Sequence, residues 1–254
     1  MRRVERYEVG TRARIDVQVP SGQIEVRVGG PGVVEVVVDA TDPEAVTVAH
    51  MGDSVTLRQQ SRWSLRPRSL CLLVVVPDGA ELEMVSASAD LRTSGDLGAA
   101  RVRTTSGDIE LDGVGRLEVA TTSGDVRVGR VHGDATVTTV SGDATLAAVT
   151  GRLGGSTVSG ALRADVVGGE VRFGTTSGDV AIGRCDGGAI ALKSISGDLS
   201  IGLPPGVAVE ADLSTTSGRA SLPDPAPDDG GAVARRAVRL AMRTVSGDLA
   251  VKRA

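Results

Sequence analysis

The 254-residue sequence predicts an all-β chain of stacked coils, a parallel β-solenoid, and three features predict it. Ser-Gly-Asp recurs at Ser94, Ser106, Ser123, Ser141, Ser177, Ser196 and Ser246, with degenerate copies Ser-Gly-Ala at Ser159 and Ser-Gly-Arg at Ser217. From Ser106 to Ser196 the copies lie 17, 18, 18, 18 and 19 residues apart. A fixed step of this kind marks structural units that each contact their neighbours. Aromatic residues make up only 1% of the chain (Tyr7, Trp63 and Phe173), so a core must be built from Val, Ile, Leu, Ala and Thr, which suit pleated, stacked strands.

Counting each unit from its Ser as zero, position +3 reads Leu97, Ile109, Val126, Ala144, Leu162, Val180, Leu199, Ala220 and Leu249. Position +5 reads Ala99, Leu111, Val128, Leu146, Ala164, Ile182, Ile201, Leu222 and Val251. Position +4 between them is mixed, with Glu110, Arg127, Thr145 and Arg163. Apolar residues at every second position put one face of a strand in the core. The segment before the turn behaves likewise: position −4 holds Val102, Val119, Val137, Phe173, Leu192, Leu213 and Met242, with Gly155 the exception. Position −2 is a hydroxyl column of the same parity, Thr104, Thr121, Thr139, Thr157, Thr175, Ser194, Thr215 and Thr244, expected to face inward and to bond the next rung or the turn backbone.

A second turn falls half a unit later, at Gly133-Asp134, Gly151, Gly168-Gly169 and Gly187-Gly188, preceded by an apolar +8 column of Val114, Val131, Val149, Val167 and Cys185. Each coil of about 18 residues is therefore two short strands and two turns. The structural turns are Ser106-Gly107-Asp108, Ser123-Gly124-Asp125, Ser141-Gly142-Asp143, Ser177-Gly178-Asp179 and Ser196-Gly197-Asp198. Glycine there is expected to supply positive φ, and the Ser and Asp oxygens to close the turn on nearby N–H groups.

Residues 1–90 repeat less clearly and are expected to form a mostly antiparallel β region that caps the solenoid of residues 91–254 and is continuous with it. Ser21-Gly22 reads as a degenerate first rung, with Ile15, Val17 and Val19 before it and Ile24 and Val26 after it. Gly52-Asp53 reads as a hairpin turn. Pro204-Pro205-Gly206 interrupts the period, 223–232 reads as a mobile acidic loop, and 237–253 resumes the pattern with a last strand pair.

The serial units TTSGDI at 104, TTSGDV at 121 and TTSGDV at 175, the segment VVVPDGAELE at 74–83 and the closing RTVSGDLAVKR resemble the "putative adhesin" β-strand-repeat family of unknown function, the Toastrack domain, over essentially the full chain. The resemblance implies a single-stranded right-handed parallel β-helix and a link to envelope-stress or membrane-associated systems.

The chemistry-bearing residues are weighed against their structural roles. A line of carboxylates could attract Ca²⁺, which takes six to eight oxygens, but one Asp per coil is sparse and turn closure accounts for it. His50 and His132 both sit beside turns, and no GxSxG, HExxH or P-loop spacing occurs. Cys71 and Cys185 read as small buried hydrophobes in apolar strands. No catalytic residue, cofactor or metal is expected. The one local contact candidate is Arg58 to Arg68, with Arg58, Arg62, Trp63, Arg66 and Arg68 and no acid, suited to anionic lipid headgroups or nucleic acid, beside the reading of a solvated loop between strands.

The sequence is thus read as a non-catalytic β-solenoid scaffold or protein-interaction module. Two alternatives stand beside it, a self-polymerising β-helical scaffold and a carbohydrate-binding or carbohydrate-active β-helix. The expected partner is another protein or a second copy. The net charge of −4 gives no expectation of nucleic acid, and membrane contact is expected only indirectly or through the Arg58–Arg68 loop. The start MRRVERYEVG has no apolar stretch behind its basic residues, and no run approaches the ~20 residues of a spanning helix, so a cytoplasmic location is expected.

Overall fold

The computed structural model describes residues 1–10, 12–59, 70–223 and 237–254. Among them the only helical element is a short 3-10 turn at Pro43–Ala45, and no helix is long and apolar enough to cross a membrane. The chain forms two compact units, 1–132 and 133–254. Both are built on the parallel two-strand coil that the period-two columns predict.

The first unit holds β1 (Arg2–Glu8), β2 (Arg14–Val28), β3 (Val33–Ala40), β4 (Val46–Met51), β5 (Ser54–Gln59), β6 (Leu70–Val76), β7 (Glu81–Ser94), β8 (Asp96–Arg103), β9 (Ile109–Ala120) and β10 (Val126–Val131). Its opening segments pair antiparallel, β1 with β3, β3 with β6, and β4 with β5 around Gly52-Asp53. The antiparallel expectation for this region holds there. β2 is already a full coil. Its first half pairs parallel with β5, its second half with β6, and its whole length with β7. In that register Ser21 opposes Ser88 and Gly22 opposes Ala89, while Ile15, Val17, Val19, Ile24 and Val26 are buried. Ser21-Gly22 is a first rung, as the sequence predicts.

The placement of Ser94-Gly95-Asp96 in the same column is corrected. Leu91 opposes Ile109, so the corner below Ser106 is Ser88-Ala89-Asp90. Asp96 and Leu97 instead oppose Gly113 and Val114, at the far end of the strand. This Ser-Gly-Asp lies half a coil away because it sits 12 residues before Ser106 where a full coil needs about 18.

The second unit holds β11 (Ala135–Thr138), β12 (Ala144–Val149), β13 (Leu153–Thr157), β14 (Leu162–Val167), β15 (Val171–Thr175), β16 (Val180–Cys185), β17 (Ala189–Lys193), β18 (Leu199–Leu203), β19 (Ala208–Ser217), β20 (Ala220–Ser221), β21 (Ala237–Ser246) and β22 (Leu249–Arg253). Strands before the Ser corner stack parallel as β11, β13, β15, β17, and those after it as β12, β14, β16, β18. The inward columns are closed: Val137, Leu146, Leu162, Val180, Leu192 and Leu199 have no accessible surface.

Past β18 the coils leave chain order. β17 and β18 pair with β21 and β22, and β19 and β20 pair with the other side of β21 and β22. The last strand pair is therefore inserted beneath the pair that precedes it in sequence. This corrects the simple continuation expected from the repeat. The inner slot takes the larger side chain at two sites: Leu240 and Leu249 are buried where β19 and β20 offer Ala211 and Ala220 in the same columns. Burying a Leu in place of an Ala favours that order by about 2 kcal/mol per site.

Candidate functional site

The repeated corner is the feature most able to hold a site, and its functional groups are engaged by the fold. The buried Thr of each corner accepts a hydrogen bond from the N–H of the Gly three residues on: Thr104 from Gly107 at 3.2 Å, Thr121 from Gly124 at 3.1 Å, Thr139 from Gly142 at 3.0 Å, Thr157 from Gly160 at 3.0 Å and Thr175 from Gly178 at 2.9 Å. The inward hydroxyl column is as expected, and the hydroxyls bond the turn backbone. Thr closes the turn, not Ser, whose backbone N–H reaches the previous coil, as from Ser123 to the Thr105 carbonyl at 2.8 Å.

The Asp does not close its own turn either. Its Oδ1 accepts the backbone N–H at the same position of an adjacent coil: Asp90 from Asp108 at 3.1 Å and Asp108 from Asp125 at 3.0 Å in the first unit. In the second unit Asp143 accepts from Ala161, Asp179 from Asp198, Asp198 from Asp248, and Asp248 from Arg219, all at 2.8–2.9 Å. A carboxylate bonded to a peptide N–H is a charge-assisted bond of the stronger kind. The Asp column is a clamp between coils.

The role of the corner glycines is corrected in the same way. Gly197, Gly218 and Gly247 have positive φ, at 147–156°, but Gly107, Gly124, Gly142, Gly160 and Gly178 do not. They are glycines because the stacked backbones touch. A Cβ at Gly124 would lie 2.0 Å from the Gly107 carbonyl oxygen, and one at Gly178 would lie 1.9 Å from that of Gly160. The second corner repeats the device, with a Cβ at Gly187 falling 1.9 Å from the Gly169 oxygen.

The outer faces carry ion pairs across coils, including Arg92–Glu110 at 2.5 Å and Arg101–Glu118 at 2.8 Å. Glu83 lies between Arg14 at 2.5 Å and Arg103 at 4.0 Å, one on the strand to each side. A shallow recess of about 570 Å³ opens on the first unit, with Glu25, Cys71, Asp90, Arg92, Glu110 and Arg127 on its lining. Cys71 is exposed there, which corrects its reading as a buried hydrophobe; its neighbours Leu70 and Leu72 take the inward positions of β6. Cys185 is buried in its column. Sequence reasoning missed the recess because its lining comes from distant strands and carries no motif.

His132 is exposed and lies 3.3 Å from Asp96. His50 stacks on Tyr7, ring centres 5.0 Å apart. Of the predicted contact surface, Arg58 is exposed at the end of β5; Arg62, Trp63, Arg66 and Arg68 lie outside the described residues, as does the acidic loop from 224 onward. Among the described residues no group of three or more His, Cys, Asp or Glu side chains is placed to hold a metal.

Stacked parallel two-strand coils with interlocked glycine corners define the class: a β-solenoid. The chain belongs to the Toastrack family, whose model (Toastrack DUF4097) matches residues 9–167. No curated protein sequence matches it. Among solved structures it is similar to a "putative lipid binding protein" from Parabacteroides distasonis, at 13% identity over 99% of this chain and 97% of the other, with a TM-score of 0.52. It is also similar to a "putative adhesin" from Bacteroides fragilis, at 15% identity over 99% and 97%, with a TM-score of 0.45.

Proposed function

We propose that this protein is a non-catalytic interaction module that offers its flat outer sheet faces to a protein partner. The observation that carries the reading is the fate of the repeated functional groups. The Thr hydroxyls bond their own turns and the Asp Oδ1 atoms bond neighbouring coils, so the groups that recur most often are committed to the backbone. What remains outward is a pattern of paired charges on a pleated surface, which favours orientation and specificity of docking. The lipid-binding description of one structural neighbour agrees in kind, since it is a binding role.

The test is a purified-chain binding experiment against proteins from the native cell, run beside a glycan-hydrolase panel and anionic vesicles. The reading expects a protein retained in fixed ratio and released by salt, with no turnover. Turnover of a glycan, or binding to vesicles alone, would replace it.

A further inference from the structure

The outermost coil of the second unit is built unlike the others. β19 pairs only with β21, and β20 only with β22, among the described residues. Among the described residues, the other edge of β19 therefore has no strand paired to it along its ten residues. The core columns are open here too. Val209, Ala211 and Leu213 sit in register with buried Val238, Leu240 and Met242, yet none of the three is buried, and Leu222 is 56% exposed. An open strand edge with apolar side chains at alternate positions is a template for one more strand.

The outward row of β19 states the charge of that strand. Glu210 lies 3.3 Å from Arg239 and Asp212 lies 2.7 Å from Arg243, both on the inner neighbour β21. Both carboxylates are exposed, and no described strand lies on the far side of β19. Within the first unit, Glu83 shows the completed arrangement, with an Arg from the strand on each side. A second copy of β19 would instead bring carboxylates against carboxylates, which is destabilising for groups directly opposite.

We infer that β19 is a docking edge for an extended segment of a partner protein that alternates apolar residues with Arg or Lys. The apolar residues would continue the columns of Val209, Ala211 and Leu213, and the cations would complete Glu210 and Asp212. This assignment rests on the interaction-module reading above and can fail without it, since a partner could be held by another face.

The test uses the full chain and a dye-labelled peptide alternating valine and arginine, read by fluorescence anisotropy. A permuted peptide of equal composition, with its arginines in one block, is the control. The structure predicts saturable, salt-sensitive binding of the alternating peptide. Affinity should fall about tenfold in the Glu210→Lys/Asp212→Lys variant and for the permuted peptide. Should that variant fold poorly by circular dichroism, Glu210→Gln/Asp212→Asn gives the same comparison without repulsion, and Arg163→Glu, on β14 and outside the recess that Glu210 and Asp212 line, should bind as the parent does. Equal binding of both peptides, no binding of either, or self-association through β19 would overturn the inference. A partner captured from the cell with no peptide binding would overturn the edge and leave the module reading standing.

Discussion

The backbone N–H of Asp248 donates to Oδ1 of Asp198 at 2.8 Å, although fifty residues separate them in the chain. Asp248 then accepts the N–H of Arg219 at 2.8 Å. The Ser196, Ser246 and Ser217 coils are thus clamped in that order. The order has a chemical sense. Two corners lack a carboxylate, Ala161 and Arg219, and Arg219 lies where no further coil among the described residues asks for an acceptor. In sequential order the Arg219 coil would sit between the other two, and the coil beyond it would lose its clamp.

Cross-linking reads that order directly. Ala191 and Ala241 are opposed in adjacent parallel strands, a separation of about 5 Å that a disulfide can span. Ala191→Cys/Ala241→Cys should oxidise to a cross-linked chain that migrates faster on a non-reducing gel. Ala191→Cys/Asp212→Cys, two strands apart, should not. Cross-linking of the second pair in preference to the first would show the coils in sequence order.

The corner glycines and the aspartates should differ in cost. Gly124→Ala drives a Cβ to 2.0 Å from a backbone oxygen and should destabilise by about 3 kcal/mol. Asp108→Ala removes one acceptor from an exposed site and should cost about 1 kcal/mol. Chemical denaturation of the two variants decides it. Equal losses would mean that the coils can separate at the corner without penalty.

The period-two columns from Ser106 to Ser196 were legible because each coil's inward residues lie at fixed offsets from one local turn. What escaped depends on contacts between coils. Ser94 matched the motif as letters, while its distance from Ser106 placed it at the opposite corner; Ser88-Ala89-Asp90 carries the register without the glycine. Cys71 looked buried because Leu70, Leu72, Leu73 and Val74 surround it in sequence, yet a strand shows alternate residues to opposite sides. The insertion of β21 and β22 had only faint traces, the missing carboxylate at Arg219 and the small residues Ala211 and Ala220. The reason for glycine at the corner was out of reach, since it lies in the carbonyl of the next coil.

The thiols give a simple check on β6. Cys71 should react with a thiol reagent in the folded protein, and Cys185, which has no accessible surface, only after unfolding. Two fast thiols, or none, would contradict the placement of β6.

Tyr7 tests the antiparallel opening of the first unit. Burial, together with its hydrogen bond to Glu5, pushes the phenol up to about 12. An unfolded chain titrates near 10. The unfolded state thus releases this proton first as pH rises, so the Tyr7 contribution to stability is whole below about pH 10 and is lost between 10 and 12. As the chain's single tyrosine, it can be followed by phenolate absorbance in the folded protein. A midpoint near 10, or a Tyr7→Phe variant with the same alkaline decline in stability, would contradict that packing.

Amide exchange at the corners tests the clamp, and with it the claim that the repeated aspartates serve the fold. The N–H groups of Asp125, Ala161, Asp198 and Asp248 lie on exposed turns, yet each is bonded to a carboxylate of the adjacent coil. The clamp requires slow exchange at all four, with Asp198→Ala releasing Asp248 while leaving residue 198's own amide, held by Asp179, protected. Fast exchange throughout the native protein, or an Asp248 amide indifferent to the loss of the Asp198 carboxylate, would contradict it.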